Sequence, residues 1–289
     1  MIDYFTYVLA PQLLHGLIWG VVIALIALGL TIVFGLMGVV NFAHGEFYML
    51  GAFLGYSLLF VLNDFWVAML VAAAATGILG MLVEKFLLRR LYARDPIFQL
   101  LLTFGLGIFM REVVRAIWGG LTRRVEPPVS GAMELMGVMY PTYRLVVLAV
   151  GVMCIFLIWW VLHRTRAGVM LRAACQDRHM SVALGVNVDQ VYAFTFSVGI
   201  CVAGMCGVLM SPIYFVYPTM GVDAILRAFI VVIVGGMGSL MGAVVASLLI
   251  AEVEALASLW ISPSWAETAV FAVLIVVLIV RPTGLLGRR

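Results

Sequence analysis

From Tyr4 to Gly45 the chain carries no Asp, Glu, Lys or Arg. That run exceeds the roughly 20 apolar residues that cross a bilayer as a helix, so it predicts one tilted span and a broken continuation. Further apolar segments follow at 47–62, 65–84, 97–119, 145–163, 191–211, 222–236, 239–259 and 265–280. They are continuous rather than alternating, which favours helices over barrel strands. The 222–236 segment is short and ends in Gly235-Gly236-Met237-Gly238-Ser239, directly before the next span. Short, glycine-interrupted spans point to broken helices beside a transport path. The pattern predicts an all-α, polytopic transmembrane helical bundle of eight or nine spans, with 1–289 forming one membrane domain. The only charge before the first run is Asp3, so the basic start of a secretory leader is missing and the run is expected to remain as a span.

Composition changes this picture little but excludes its rivals. Of 289 residues, 65% are hydrophobic and 11% charged. A soluble domain carries roughly a quarter charged residues, and a disordered chain is more polar still. A net charge of +3 offers no footprint for nucleic acid. The placement of the bases says more. Lys85, Arg89, Arg90 and Arg94 form one cluster, Arg164, Arg166, Arg172 and Arg178 a second, and Arg281, Arg288 and Arg289 a third. Even numbers of spans separate them, so all three fit on one side, the inside. The N-terminus is then expected outside. Loops near 62–66, 212–221 and 260–264 carry no Lys or Arg, whereas the 120–143 loop holds Arg123 and Arg124, partly balanced by Glu126 and Glu134.

Two kinds of segment stand out. The longest inside segment, 164–190, is amphipathic and rich in small residues, including Ala173, Ala174, Ala183 and Gly185. A connection between neighbouring spans needs only a few residues. This length predicts an elbow of one or two short helices that docks another protein. The break Gly38–Glu46 gathers Asn41, His44 and Glu46 after the uncharged run. These side chains are expected to pin an irregular backbone by hydrogen bonds near an inner gate. Gly16/Gly20, Gly51/Gly55, Gly238/Gly242 and Gly199/Ala203/Gly207 have the spacing of helix-packing seams. Asp223 and Arg227 have the spacing of a helical ion pair. The four cysteines form no C-x-x-C pair and read as small packing residues.

The chain lacks the motifs of a built-in motor or enzyme. Lys85 is its only lysine and lies outside any G-x-x-x-x-G-K-[ST] loop. H-E-x-x-H and G-x-S-x-G are absent, and mid-span carboxylates for ion coupling are scarce. Energy is therefore expected from outside the chain. A self-sufficient secondary transporter or channel remains the rival of a different class.

GLTIVFGLMGVVNFAHGEFYMLGA at 29–52 resembles the N-terminal signature of LivH-type permeases of branched-chain amino-acid ABC importers. RTRAGVMLRAACQDRHMSVALGVNV at 164–188 is similar to that family's cytoplasmic coupling region. IVVIVGGMGSLMGAVVASLLIAEVEAL at 230–256 and RPTGLLG at 281–287 extend the likeness over nearly the whole chain. The resemblance implies the ABC importer permease fold and a permease subunit in a bacterial inner membrane, moving branched-chain amino acids by alternating access. Relatives within the family serve urea, short amides or aromatic acids. It also implies a homologous second permease, two cytosolic ATPase subunits that bind ATP and Mg, and a periplasmic substrate-binding protein. This chain itself would bind no cofactor or metal. On this reading the elbow residues Arg166, Gly168, Arg172, Ala173, Ala174, Asp177, Ala183 and Gly185 couple to an ATPase. Asn41, His44, Gly45, Glu46, Gly235, Gly236, Gly238 and Ser239 serve the path and its gate.

Overall fold

The computed structural model describes residues 5–135 and 138–287; Arg288 and Arg289 of the third basic cluster, and the first four residues, fall outside them. Helix α1 (Ala10–Leu30) is flanked by π-helical turns at Phe5–Leu9 and Thr31–Leu36. Then come α2 (His44–Leu62), α3 (Phe65–Phe86), a 3-10 turn at Leu88–Leu91 and α4 (Pro96–Trp118). Strands β1 (Ala132–Leu135) and β2 (Val138–Pro141) form an antiparallel hairpin, Ala132 opposite Pro141, within the long loop that follows. This hairpin is a small addition to the all-helical expectation. The rest is α5 (Thr142–Arg164), α6 (Arg166–Gln176), α7 (Arg178–Ala183), α8 (Val188–Met210), α9 (Met220–Gly235), α10 (Leu240–Ala257) and α11 (Pro263–Val280).

Among the described residues, seven helices are long and apolar enough to cross a membrane. With α9 and α11 they make nine apolar segments, in the expected order. Helix α9 has 16 residues, about 24 Å at 1.5 Å per residue, and falls short of the roughly 30 Å hydrocarbon core. Caps set many of the boundaries. Asp64, Asp95 and Asn187 accept from Val67 N, Ile97 N and Gln190 N at 2.8, 2.9 and 3.1 Å, each satisfying a free N–H at a helix start.

Helix α1 is the central post. Its residues from Gly20 through Leu30 are all buried, as expected for a helix apolar on every side. It packs against α10, α5, α8 and α9, while α8 also packs against α2 and α3. Glycine lets these backbones touch. A Cβ on Gly20 would lie 3.0 Å from Leu248 Cα, and Gly51 abuts the backbone of Gly204. Helices α4 and α5 form the outer wall, with Phe98, Leu101, Phe104, Phe109, Met153 and Phe156 at least half exposed. Such a face is covered by lipid in a membrane protein and would aggregate in water.

At the end carrying the basic clusters, a polar knot ties α3 to α8. Buried Glu84 accepts from Arg89 Nη2 at 2.8 Å and from the Tyr92 hydroxyl at 2.9 Å. Arg89 also donates to Asp189 O, and Arg178 of α7 pairs with the Asp189 carboxylate at 3.1 Å. Burial, and then the neighbouring Glu84 charge, push the Tyr92 hydroxyl pKa up, so it stays a donor. The sequence marks Arg89 as an orientation signal; the structure also gives it a structural role.

Candidate functional site

The first break begins where the π-helical turn ends at Leu36 and Gly38 takes φ +71°. The chain re-enters the bundle, and α2 starts at His44. A Cβ on Gly29 of α1 would lie 2.9 Å from Gly199 O and 3.0 Å from His44 Cε1. Gly199 is near the middle of α8, and Glu46 Cγ meets Gly107 near the middle of α4. The start of α2 therefore lies at mid-span, not near the inner surface as the sequence pattern suggests. Helices α2 and α9 meet there because no side chain intervenes at Gly45, which sits against the Gly221 carbonyl at the start of α9.

The expected roles of the three polar side chains are also revised. The side-chain polar atoms of Asn41 and His44, buried to 1% and 0% exposure, have no side-chain hydrogen-bond partner among the described residues. The backbone is pinned instead by Thr103 of α4, which accepts from Phe42 N at 3.1 Å, with Val40 O at 3.2 Å and Gln99 O at 3.0 Å both within reach of its single proton. Glu46 forms an ion pair with Arg111 of α4 through one oxygen, and its second oxygen is unpaired. Neither Thr103 nor Arg111 stands out in the sequence, because Gln99, Glu112 and Arg115 lie in the same helix and nothing local shows which of them face the break. Burying polar groups such as those of Asn41 and His44 costs about 1–3 kcal/mol each when they stay unpaired.

The second break packs against the first. Helix α9 ends at Gly235, Gly236 turns with φ +100°, and Gly238 follows at φ +82°. Gly35, in the π-helical turn after α1, rests on the backbone of Gly238. Ser239 caps α10 by accepting from Gly242 N at 3.0 Å. The segment 281–287 completes this join: Leu285 N and Leu286 N donate to Val234 O and Gly235 O at 2.8 and 3.1 Å. These bonds satisfy carbonyls left open at the end of α9. Two sequence motifs separated by a whole span thus form one structural unit.

On the far side of the break from the basic clusters lies a cavity of about 660 Å³. It is walled by the starts of α1, α5, α9 and α11, the end of α10 and the 214–220 turn, with Tyr48 of α2 among its lining. Arg227 pairs here with Glu254 of α10 and, at 2.6 Å, with Glu267 of α11. This corrects the expected Asp223–Arg227 pair: Asp223 accepts from the Tyr217 hydroxyl at 2.9 Å instead. Burial and then the hydrogen bond to Asp223 push that hydroxyl up to about 12, keeping it protonated as a donor.

The elbow occupies the opposite end. Thr165 caps α6 by accepting from Gly168 N at 3.3 Å, and Asp177 caps α7 by accepting from Met180 N at 2.9 Å. Gly168 lies against the Leu162 backbone, and Arg172 donates to Leu162 O, so both hold α6 to α5. Gly185 ends α7 with φ +82°. Ala174 is buried, Ala173 half-buried, and Arg166 and Ala183 exposed. Beside them Met180, Val182 and Leu184 are 58%, 57% and 77% exposed. Burial raises the Cys175 thiol to about 11, leaving it an inert packing group. Among the described residues no cluster of His, Cys, Asp and Glu is placed to hold a metal ion.

A lipid-walled bundle with one helix starting at mid-span, a second break packed beside the first, a cavity with charged lining on one side and a helical elbow on the other is a polytopic membrane permease. The family model for the branched-chain amino acid transport system permease component matches residues 12–279. The chain is 33% identical to the high-affinity branched-chain amino acid permease LivH of Salmonella typhimurium, covering 100% of this chain and 98% of that one. It is equally similar to LivH of Escherichia coli K12, and 32% identical to BraD of Pseudomonas aeruginosa over 96% and 95% of the two chains. The solved structure of PsaBC from Streptococcus pneumoniae in complex with Fab shares the fold, with TM-score 0.52 at 16% identity over 97% and 95% of the two chains. The chain belongs to the family of permease components of branched-chain amino acid transport systems.

Proposed function

We propose that this chain is one of two permease subunits of an ATP-driven importer for branched-chain aliphatic amino acids in a bacterial inner membrane. The observation that carries the motor assignment is the elbow. It stands at the basic end with Met180, Val182 and Leu184 in the open, on a chain without a nucleotide-binding loop. An exposed apolar patch beside polar residues is a protein docking surface, and here its occupant is a cytosolic ATPase. ATP and Mg are held by two such partners, and a homologous permease completes the path. A periplasmic binding protein delivers the solute to the cavity end. ATP-driven closure of the ATPases moves α6 and α7. Their contacts with α5 and the Asp189 knot pass that motion to α8, whose Gly199 abuts the break.

The substrate class comes from the relatives' names and the full-length similarity. Reconstitution in liposomes tests the proposal. The complete complex imports leucine only with ATP and loaded binding protein, and this chain alone imports none under an ion gradient. Gradient-driven uptake by the isolated chain would favour a secondary transporter; uptake of urea or an amide in place of leucine would reassign the substrate.

A further inference from the structure

The charged groups of the cavity divide in a way that its ion pairs reveal. Arg227 is taken up by Glu254 and Glu267. Arg144, on the first turn of α5, forms no salt bridge among the described residues; it lies 3.3 Å from His15 Nδ1 and over the Tyr140 ring. Asp223, on the first turn of α9, forms none either, and its hydrogen bond comes from the neutral Tyr217 hydroxyl. One cation and one anion without charged partners thus line the same cavity. Its volume of about 660 Å³ falls within the roughly 300–1,000 Å³ of small-molecule sites. Ala224, Ala251, Ala255 and Ala266 leave room between them, and Trp19 adds an apolar wall.

We propose that this cavity is a transit site for zwitterionic α-amino acids, in which Arg144 receives the carboxylate and Asp223 the ammonium. An arginine fork matches a carboxylate in two parallel hydrogen bonds. A zwitterion also supplies opposite charges on one carbon, so it satisfies both groups without adding net charge inside a membrane protein. The alanine walls take an aliphatic side chain. This site rests on the proposed function, since it assumes that amino acids pass through the chain.

The test uses the complete complex in liposomes, with leucine-loaded binding protein outside. Arg144→Gln and Asp223→Asn each lower leucine uptake per ATP by roughly tenfold or more, the loss expected when a hydrogen bond to a charged group is removed. Binding-protein-stimulated ATP hydrolysis persists in both. Arg144→Lys and Asp223→Glu, which keep the charge, retain most of the uptake. Wild-type uptake in the Gln and Asn variants overturns the site while leaving the importer reading intact. Equal losses in neutral and charge-keeping variants, with a lowered melting temperature, overturn it in favour of a shape role. Absence of leucine uptake by the wild-type complex removes the importer reading, and the site with it.

Discussion

Arg111 of α4 donates to Glu46 in the first turn of α2, across 65 residues of chain and near mid-span. Both side chains are shielded, at 24% and 4% exposure. Removing one partner of a buried pair strands the other and costs about 3–5 kcal/mol. Arg111→Leu or Glu46→Leu alone is therefore expected to lower the melting temperature of the detergent-solubilised complex sharply. The double variant recovers much of that loss, because two apolar groups are compatible with this interior, yet transport stays impaired. A double variant as unstable as either single one would show that the pair is not the stabilising unit.

His44 and Asn41 make the opposite prediction. Each holds buried side-chain polar atoms with no side-chain partner among the described residues, so His44→Leu and Asn41→Leu should leave stability unchanged or raise it by about 1 kcal/mol. Uptake should fall, because polarity at this depth is retained against stability. Thermal unfolding and uptake measured on the same preparation decide this; a destabilised but fully active variant contradicts it.

At the second break, Gly238 combines φ +82° with contact to Gly35. A left-handed conformation costs an ordinary L-residue about 1–2 kcal/mol. Gly238→Ala is expected to show that loss and reduced transport, and Gly35→Val to do worse, since its side chain meets backbone rather than a movable side chain. Normal uptake by Gly35→Val would show that the two breaks separate during the cycle.

Elbow residues separate into supports and contacts. Asp177→Ala removes a cap worth about 0.5–2 kcal/mol and loosens α7. Met180→Asp and Leu184→Asp alter only exposed positions, so the chain folds normally. Both should fail to retain the ATPases during affinity purification. Full retention in both would place the docking surface elsewhere.

Cys175 gives a chemical prediction. With its thiol raised to about 11 by burial, about one molecule in a thousand carries the thiolate at pH 8. A negatively charged alkylating reagent added to the basic side should label it far more slowly than an exposed cysteine introduced at Ala183. Labelling should accelerate only as pH approaches 11, since the acid form is the one favoured below that value. Rapid labelling at pH 7 would contradict the assignment.

The apolar runs, the glycine breaks, the basic side and the elbow were legible in the chain, because each is a local pattern with its own period or composition. Lipid exposure constrains every spanning segment in the same way, so nine segments could be read in order. Partnerships were not legible. The i, i+4 spacing of Asp223 and Arg227 pointed to each other, but Glu254 and Glu267 lie closer to Arg227 once α10 and α11 pack beside α9. Thr103 and Arg111 carry no signal until α4 is laid against the first break. The depth of His44 is not legible in the chain, because distance along a sequence does not show that a chain re-enters the bundle.

By itself the sequence determined that this is a multi-span membrane protein with interrupted helices, one basic face and no G-x-x-x-x-G-K-[ST] loop. Hydrophobic period, glycine placement and charge asymmetry are properties of neighbouring residues, and the bilayer turns them directly into structure. Only the tertiary structure decided which charges are matched and which are free. Asp223 loses Arg227 to the two carboxylates delivered by α10 and α11, and among the described residues neither Asp223 nor Arg144 forms a salt bridge. That outcome depends on contacts between segments far apart in the chain, set by how glycine-lined helices close on one another.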